Sequence, residues 1–183
     1  SMNKAFLIIS AIVALNLLIF NAFNAESYSG DPPEVLYSVV QNGNLSTCNS
    51  CHGKGKTGSI PETGGLEIDL DGKTKYEANK TYNVTVRVEK TNKRHGFQMI
   101  ALDKNLKSIG TFIEESPNLK IQTDAINNVS HISHNNVPFS NDGVFRFQWK
   151  APDNYTDEIK MYAIAVSANG NGNENGDSVY FVT

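Results

Sequence analysis

Cysteine is almost absent from this chain, at two residues in 183, which excludes a disulfide-dense scaffold as the source of its stability. A hydrophobic core has to supply that stability, and the length is sufficient for one domain that buries one. A basic excess is also absent. The 16 Lys and Arg against 19 Asp and Glu leave a formal net charge of -3, which argues against a nucleic-acid-binding face. The one basic cluster, Arg87, Lys90, Lys93 and Arg94, is interrupted by Glu89 and reads as a solvated strand end. No internal repeat occurs, and no long stretch after residue 66 has helical spacing. No Ser/His/Asp arrangement, phosphate loop or pair of catalytic carboxylates stands out. The run Asn171-x-Asn173-x-Asn175-Gly176 starts like a calcium loop, but Val182 occupies the twelfth position, where a chelating Glu is needed. A polar hairpin turn is expected there instead.

Long apolar runs are confined to the beginning. Lys4 precedes Ala5 to Phe20, broken only by Ser10 and Asn16, and small residues follow as far as Ala25. A positive start, an apolar run and a small-residue end describe a secretory signal. Counted through Phe23, the run is also about long enough to span a bilayer. Residues 1–25 are therefore expected to be a signal peptide or a retained N-terminal membrane anchor. Both place the remainder outside the cytoplasm, in the periplasm or at the cell surface.

The remainder of the chain divides unevenly. Residues 26–64 carry Gly30, Pro32, Pro33 and Gly43 around one short apolar run, Val35 to Val40, which is expected to make a turn or two of helix. From Leu66 the pattern changes to period two. Leu66, Ile68 and Leu70 alternate with Glu67 and Asp69, and Tyr82, Val84, Val86 and Val88 alternate with polar residues. Such alternation marks half-buried strands. Further strands are predicted over 97–102, 108–113, 119–123, 128–133, 144–149, 160–167 and 178–182, separated by turn residues such as Asn141-Asp142-Gly143. The expected fold is mainly β, an immunoglobulin-like antiparallel β-sandwich over residues 65–183, with a closed barrel as the alternative.

The two cysteines stand in the sequence Cys48-Asn49-Ser50-Cys51-His52, which is the c-type haem attachment pattern. The spacing follows from the chemistry. Two thiols add across the two vinyl groups of haem, and two intervening residues let one tight turn present both sulfurs to one porphyrin edge. The adjacent His52 then falls beneath the iron as its fifth ligand. A redox CxxC pair would want a thioredoxin-like βαβ context, and a structural zinc site would want further Cys or His nearby. A plain disulfide leaves His52 without a role. The expectation is one covalent haem c on residues 26–64, a segment too small to bury it alone, so the sandwich must supply the other wall of the pocket.

Several stretches resemble one family in both content and order. They are Arg94-His95-Gly96-Phe97-Gln98 with Ala101-Leu102-Asp103, then Gly110-Thr111-Phe112, Val129-Ser130-His131, Phe147-Gln148-Trp149-Lys150-Ala151-Pro152 and Asn169-Gly170-Asn171-Gly172 with Gly176-Asp177. From about residue 48 to 183 the chain resembles the Reeler-like, "choice-of-anchor V" exported bacterial domains, many of which carry a CxxCH segment just upstream. The resemblance implies a β-sandwich and an exported, often tethered, haem protein, and supplies no substrate. The chain stops soon after the final strand, so any tether is expected at the N-terminus.

Candidates for the sixth iron ligand are His95, His131, His134, Met99 and Met161. His131 matches the family's recurring histidine and shares one strand face with Val129 and Ser133. Met99, the alternative distal ligand, shares a face with Phe97 and Ala101 and reads first as core. The functional expectation is an exported monohaem electron carrier rather than an enzyme, with a redox partner protein and no nucleic-acid partner. A surface adhesion or interaction module with structural haem, and a haem sensor or peroxidase-like protein with an open sixth site, are the rivals.

Overall fold

A computed structural model describes residues 40–41, 44–45, 62–89, 92–124, 128–135, 142–171 and 175–183. The expected signal or anchor and the CxxCH motif lie outside these residues. No helix among the described residues is long and apolar enough to cross a membrane.

Strands make up the fold. A short antiparallel hairpin joins β1 (Val40–Gln41) to β2 (Asn44–Leu45). The turn or two of helix expected over 35–40 is contradicted at its one described residue: Val40 pairs with Leu45. Between the strands stands Asn42-Gly43, the strongest two-residue hairpin signal, next to a β-branched valine that resists helix.

The remaining strands form two sheets. One has the order β4 (Leu66–Leu70), β5 (Thr81–Val88), β10 (Val144–Lys150), β7 (Thr111–Ile113). The other has the order β3 (Glu62–Thr63), β12 (Ser178–Val182), β11 (Lys160–Ala168), β6 (Arg94–Leu102), β9 (Ser130–His134), β8 (Leu119–Thr123). All pairings are antiparallel except β3 on β12, which is parallel. The two sheets form an immunoglobulin-like antiparallel sandwich, not a closed barrel. β3, which the sequence pattern did not predict, adds to the edge of the six-stranded sheet beside β12.

The alternation read in the sequence is the inner face of the four-stranded sheet. Tyr82, Val84, Val86, Phe145, Phe147 and Trp149 all point into one apolar cluster with Phe97, Met99, Ala163 and Ala165 of the other sheet. Aromatic rings pack along it: Phe97 lies 4.3 Å from Phe145 and 5.8 Å from Phe147 between centroids, and Trp149 meets Tyr76 edge-on at 6.2 Å. Spacings in this range suit the ring quadrupoles as well as burying area. The outer face of this sheet is polar, with Arg87 lying 3.6 Å from Glu67 and 3.7 Å from Asp69.

Gly110 closes the corner before β7 with φ of +71°, and a Cβ there would run into the Trp149 indole. Gly110→Ala is therefore expected to cost on the order of 3 kcal/mol, from backbone strain and overpacking together. A fall in the urea midpoint at unchanged slope would show it; an unchanged midpoint would refute it.

Asp103 holds the turn after β6. Its Oδ1 accepts the backbone N–H groups of Lys107 at 2.9 Å and Asn105 at 2.8 Å. Those bonds, that to Lys107 first, keep its carboxyl below the ordinary value. A carboxylate with a depressed folded value contributes stability above the unfolded value of about 3.9 and loses it as pH falls through the lower folded one. The thermal midpoint of the wild type should exceed that of Asp103→Asn near neutrality, and the gap should close below about pH 4. A gap independent of pH would show that charge is not the cause.

Candidate functional site

The two faces of the six-stranded sheet differ from ordinary alternation. Its inner face is the core between the sheets. Its outer face is set by register: Gln98 lies opposite Ser133 and Ile164, Ile100 opposite His131 and Tyr162, and Val166 opposite Val179. Directly opposed residues in an antiparallel pair share a face, so these side chains all point away from the sandwich. They are nevertheless buried. Gln98, Ile100, His131, Ser133 and Ile164 are fully inaccessible, and Leu102, Val129 and Val179 nearly so. Ile100, Leu102 and Val129 form an apolar cluster of their own with Tyr162 packed against it, and the Tyr162 and Phe181 rings lie 6.3 Å apart.

His131 sits at the middle of this face. β9 is a five-residue strand in which Ile132 points into the core and holds the strand down, while His131 and Ser133 are turned outward beside β6. One side of His131 is Ile100, the other Gln122 of β8. A neutral imidazole carries a lone pair on one nitrogen and serves as a metal ligand.

The structure separates the other candidates. Met99 is fully buried in the core between the sheets, facing away from His131. His95 is buried at the same inner side of β6, near Gly143. His134 ends β9 with Nδ1 3.1 Å from both the backbone nitrogen and the carbonyl oxygen of Phe97. A Cβ on Gly96 would lie 2.6 Å from that ring, so glycine there makes room for it. Met161 lines a cleft of about 460 Å³ at one end of the sandwich, with Tyr76, Tyr82 and Trp149. Cys48, Cys51 and His52 lie outside the described residues.

A haem c attached at those cysteines would need a flat apolar wall and a second axial donor. The outer face carries one central imidazole, His131, but Gln98, Ser133 and Gln122 share it, so it is a buried mixed surface and not a wholly apolar wall. Sequence reading singled out His131 as a candidate but not the face around it. The signal was available in Met99-Ile100-Ala101-Leu102 and Tyr162-Ala163-Ile164-Ala165-Val166, unbroken apolar runs of the kind that strands covered on both sides require.

A protein-family comparison matches the Reeler domain over residues 46–170. Among solved structures, the Reelin-N domain of F-spondin aligns at 19% identity over 67% of this chain and 80% of that one, with a TM-score of 0.50. The human F-spondin reeler domain aligns at 19% identity over 67% of this chain and 84% of that one, with a TM-score of 0.49. A protein from Nocardia farcinica described as having an immunoglobulin-like fold aligns at 18% identity over 64% of this chain and 96% of that one, with a TM-score of 0.33. No curated protein matches.

Proposed function

We propose that this chain, which belongs to the Reeler domain family, is an exported monohaem c-type cytochrome that carries electrons. One observation carries the reading: Cys48, Cys51 and His52 stand in the order and spacing that thioether attachment and axial ligation require. The apolar N-terminal run supports it, because c-type attachment takes place outside the cytoplasm. Residues 1–25 act as a signal or an N-terminal tether, in the periplasm or at the cell surface, and the electrons pass to a redox partner protein.

Haem c, when bound, supplies a one-electron couple at iron. The chain does the rest. Cys48 and Cys51 would hold the group covalently, and His52 would supply a nitrogen to its iron. The sandwich would tune the potential through a second ligand, burial and nearby dipoles.

The test is a visible and near-infrared spectrum, in both oxidation states, of full-length protein exported in a host that matures c-type cytochromes. Covalent haem that cycles reversibly between ferric and ferrous forms is the expected result. Protein that emerges from that host without covalent haem refutes the reading. A second reading, compatible with the Reeler match, is a surface adhesion or interaction module in which the haem is structural. Partner binding that survives unchanged in haem-free protein would favour it, while exogenous ligands binding to the resting iron would favour a sensor.

A further inference from the structure

We propose that the cleft of about 460 Å³ at one end of the sandwich is a binding site for a small amphipathic anion, a monocarboxylate with a flexible aliphatic body. The site does not depend on haem. Its occupant follows from burial, from the chemistry of the walls and from charge.

Burial comes first. Among the described residues, six hydrophobic side chains pack on the main core while staying only partly buried: Ile68, Leu70, Tyr76, Ile159, Met161 and Val182. All six line the cleft. Exposed hydrophobics scattered singly over a surface need no explanation, but a contiguous set gathered in one concavity marks a binding surface. The cleft lies where β4 and β10 end and β5 and β11 begin. Tyr82 and Trp149, both almost wholly buried, form its floor. Its volume falls in the range of about 300–1,000 Å³ that small-molecule sites occupy.

The walls call for an apolar body. Each aromatic ring that lines the cleft has its polar atom engaged by backbone. The Tyr76 hydroxyl donates to the carbonyl oxygen of Tyr155 at 2.8 Å, the Tyr82 hydroxyl accepts the N–H of Glu77 at 2.6 Å, and the Trp149 Nε1–H donates to Ile109. Ring carbon and aliphatic side chains are left for a ligand, and Met161 adapts its shape to a flexible chain. The Tyr76 bond also ties two walls together, so the cleft is formed before anything enters it.

Charge supplies the other end of the molecule. The side-chain charges at the rim are Lys73, Lys75 and Lys160 against Glu158 alone, all exposed. Glu158 lies 4.0 Å from Lys160, and neighbouring Glu77 is held by Lys80 at 2.8 Å. Lys73 and Lys75 have no ion pair among the described residues. A positive rim on a chain of net charge -3 over an apolar floor is complementary to an apolar body that ends in one negative group.

Titration of the full-length protein under reductant with decanoate, followed by methyl NMR below the micelle concentration, tests this. The methyl signals of Ile68, Leu70 and Met161 should move and saturate. Those of Ile113 and Ile121, exposed hydrophobics on other strands, should stay in place. Decanol, with the same chain and no charge, should bind about tenfold more weakly, and added salt should narrow that gap. Lys73→Glu with Lys75→Glu changes two exposed side chains, so the fold is not at risk. This double variant should lose about tenfold in decanoate affinity and gain affinity for decyltrimethylammonium. No saturable movement at Ile68, Leu70 and Met161 overturns the site. Equal movement at Ile113 and Ile121 shows detergent-like adsorption and overturns it as well. Equal affinity for decanoate and decanol, or an unchanged decanoate affinity in the double variant, overturns the anionic ligand.

Discussion

Protein carrying Cys48→Ala together with Cys51→Ala should leave the exporting host with no covalently bound haem and with its sandwich intact. Each thioether needs one thiolate, and no other cysteine exists in the chain to replace either. Haem-stained denaturing gels and acid-acetone extraction read the loss directly, and it should be complete rather than partial. The single variants should retain a reduced fraction, since one thioether suffices to hold the group through denaturation. The β-type circular dichroism should persist in the double variant, because the core cluster among the described residues is drawn from Leu66 through Tyr180. Covalent haem surviving in the double variant would sink the attachment assignment. Loss of the β spectrum along with the haem would show that the haem segment is part of the core and not a layer on it.

The parts of the fold that could be read in advance are those with one wet face. Leu66 to Leu70 and Tyr82 to Val88 alternate because one side meets the core and the other meets water, and their strands appear where the alternation places them. β6 and β11 were legible as strands but not as doubly covered ones. Their outward residues Ile100, Leu102 and Ile164 read as ordinary β-formers until the register shows which way they face. β3 was missed because two residues, Glu62 and Thr63, carry no period at all; only pairing to Tyr180 and Phe181 defines them. At Val40, the one described residue of the helix expected over 35–40, that reading overlooked the turn chemistry of Asn42-Gly43. The candidate site divides in the same manner. A covalent motif is written locally, so Cys48, Cys51 and His52 stand out in one dimension. A ligand supplied by the fold is defined by which side of a sheet it faces. That separates His131 from Met99 across a single strand pair, where Met99 lies opposite Ile132 and Ile100 opposite His131.

Of the substitutions in the sandwich itself, Trp149→Ala should do the most damage. Trp149 is almost wholly buried, stands on β10 between β5 and β7, and packs against both Tyr76 and Tyr82. Its Nε1–H donates to the carbonyl oxygen of Ile109 at 3.3 Å, which ties the corner before β7 to the core. Removing the indole takes away its transfer free energy and extends the neighbouring cleft of about 460 Å³ into the core, so the surroundings cannot collapse to fill the space. Tryptophan-to-alanine changes at such sites cost about 3–5 kcal/mol, against a total stability of about 5–15 kcal/mol for a domain of this kind. A large fall in the urea midpoint is expected, with much of the protein lost from the soluble fraction at growth temperature. Trp149→Phe should cost less, because the ring remains while the hydrogen bond to Ile109 goes. The same geometry predicts coupling to Gly110, whose added Cβ would collide with this indole. In a Trp149→Phe background the smaller ring relieves that collision, so Gly110→Ala should cost about 1 kcal/mol less than in the wild type. The backbone strain at φ of +71° remains and keeps the substitution unfavourable. Additive midpoints across the four proteins of that cycle would show that the indole and the glycine do not share their space.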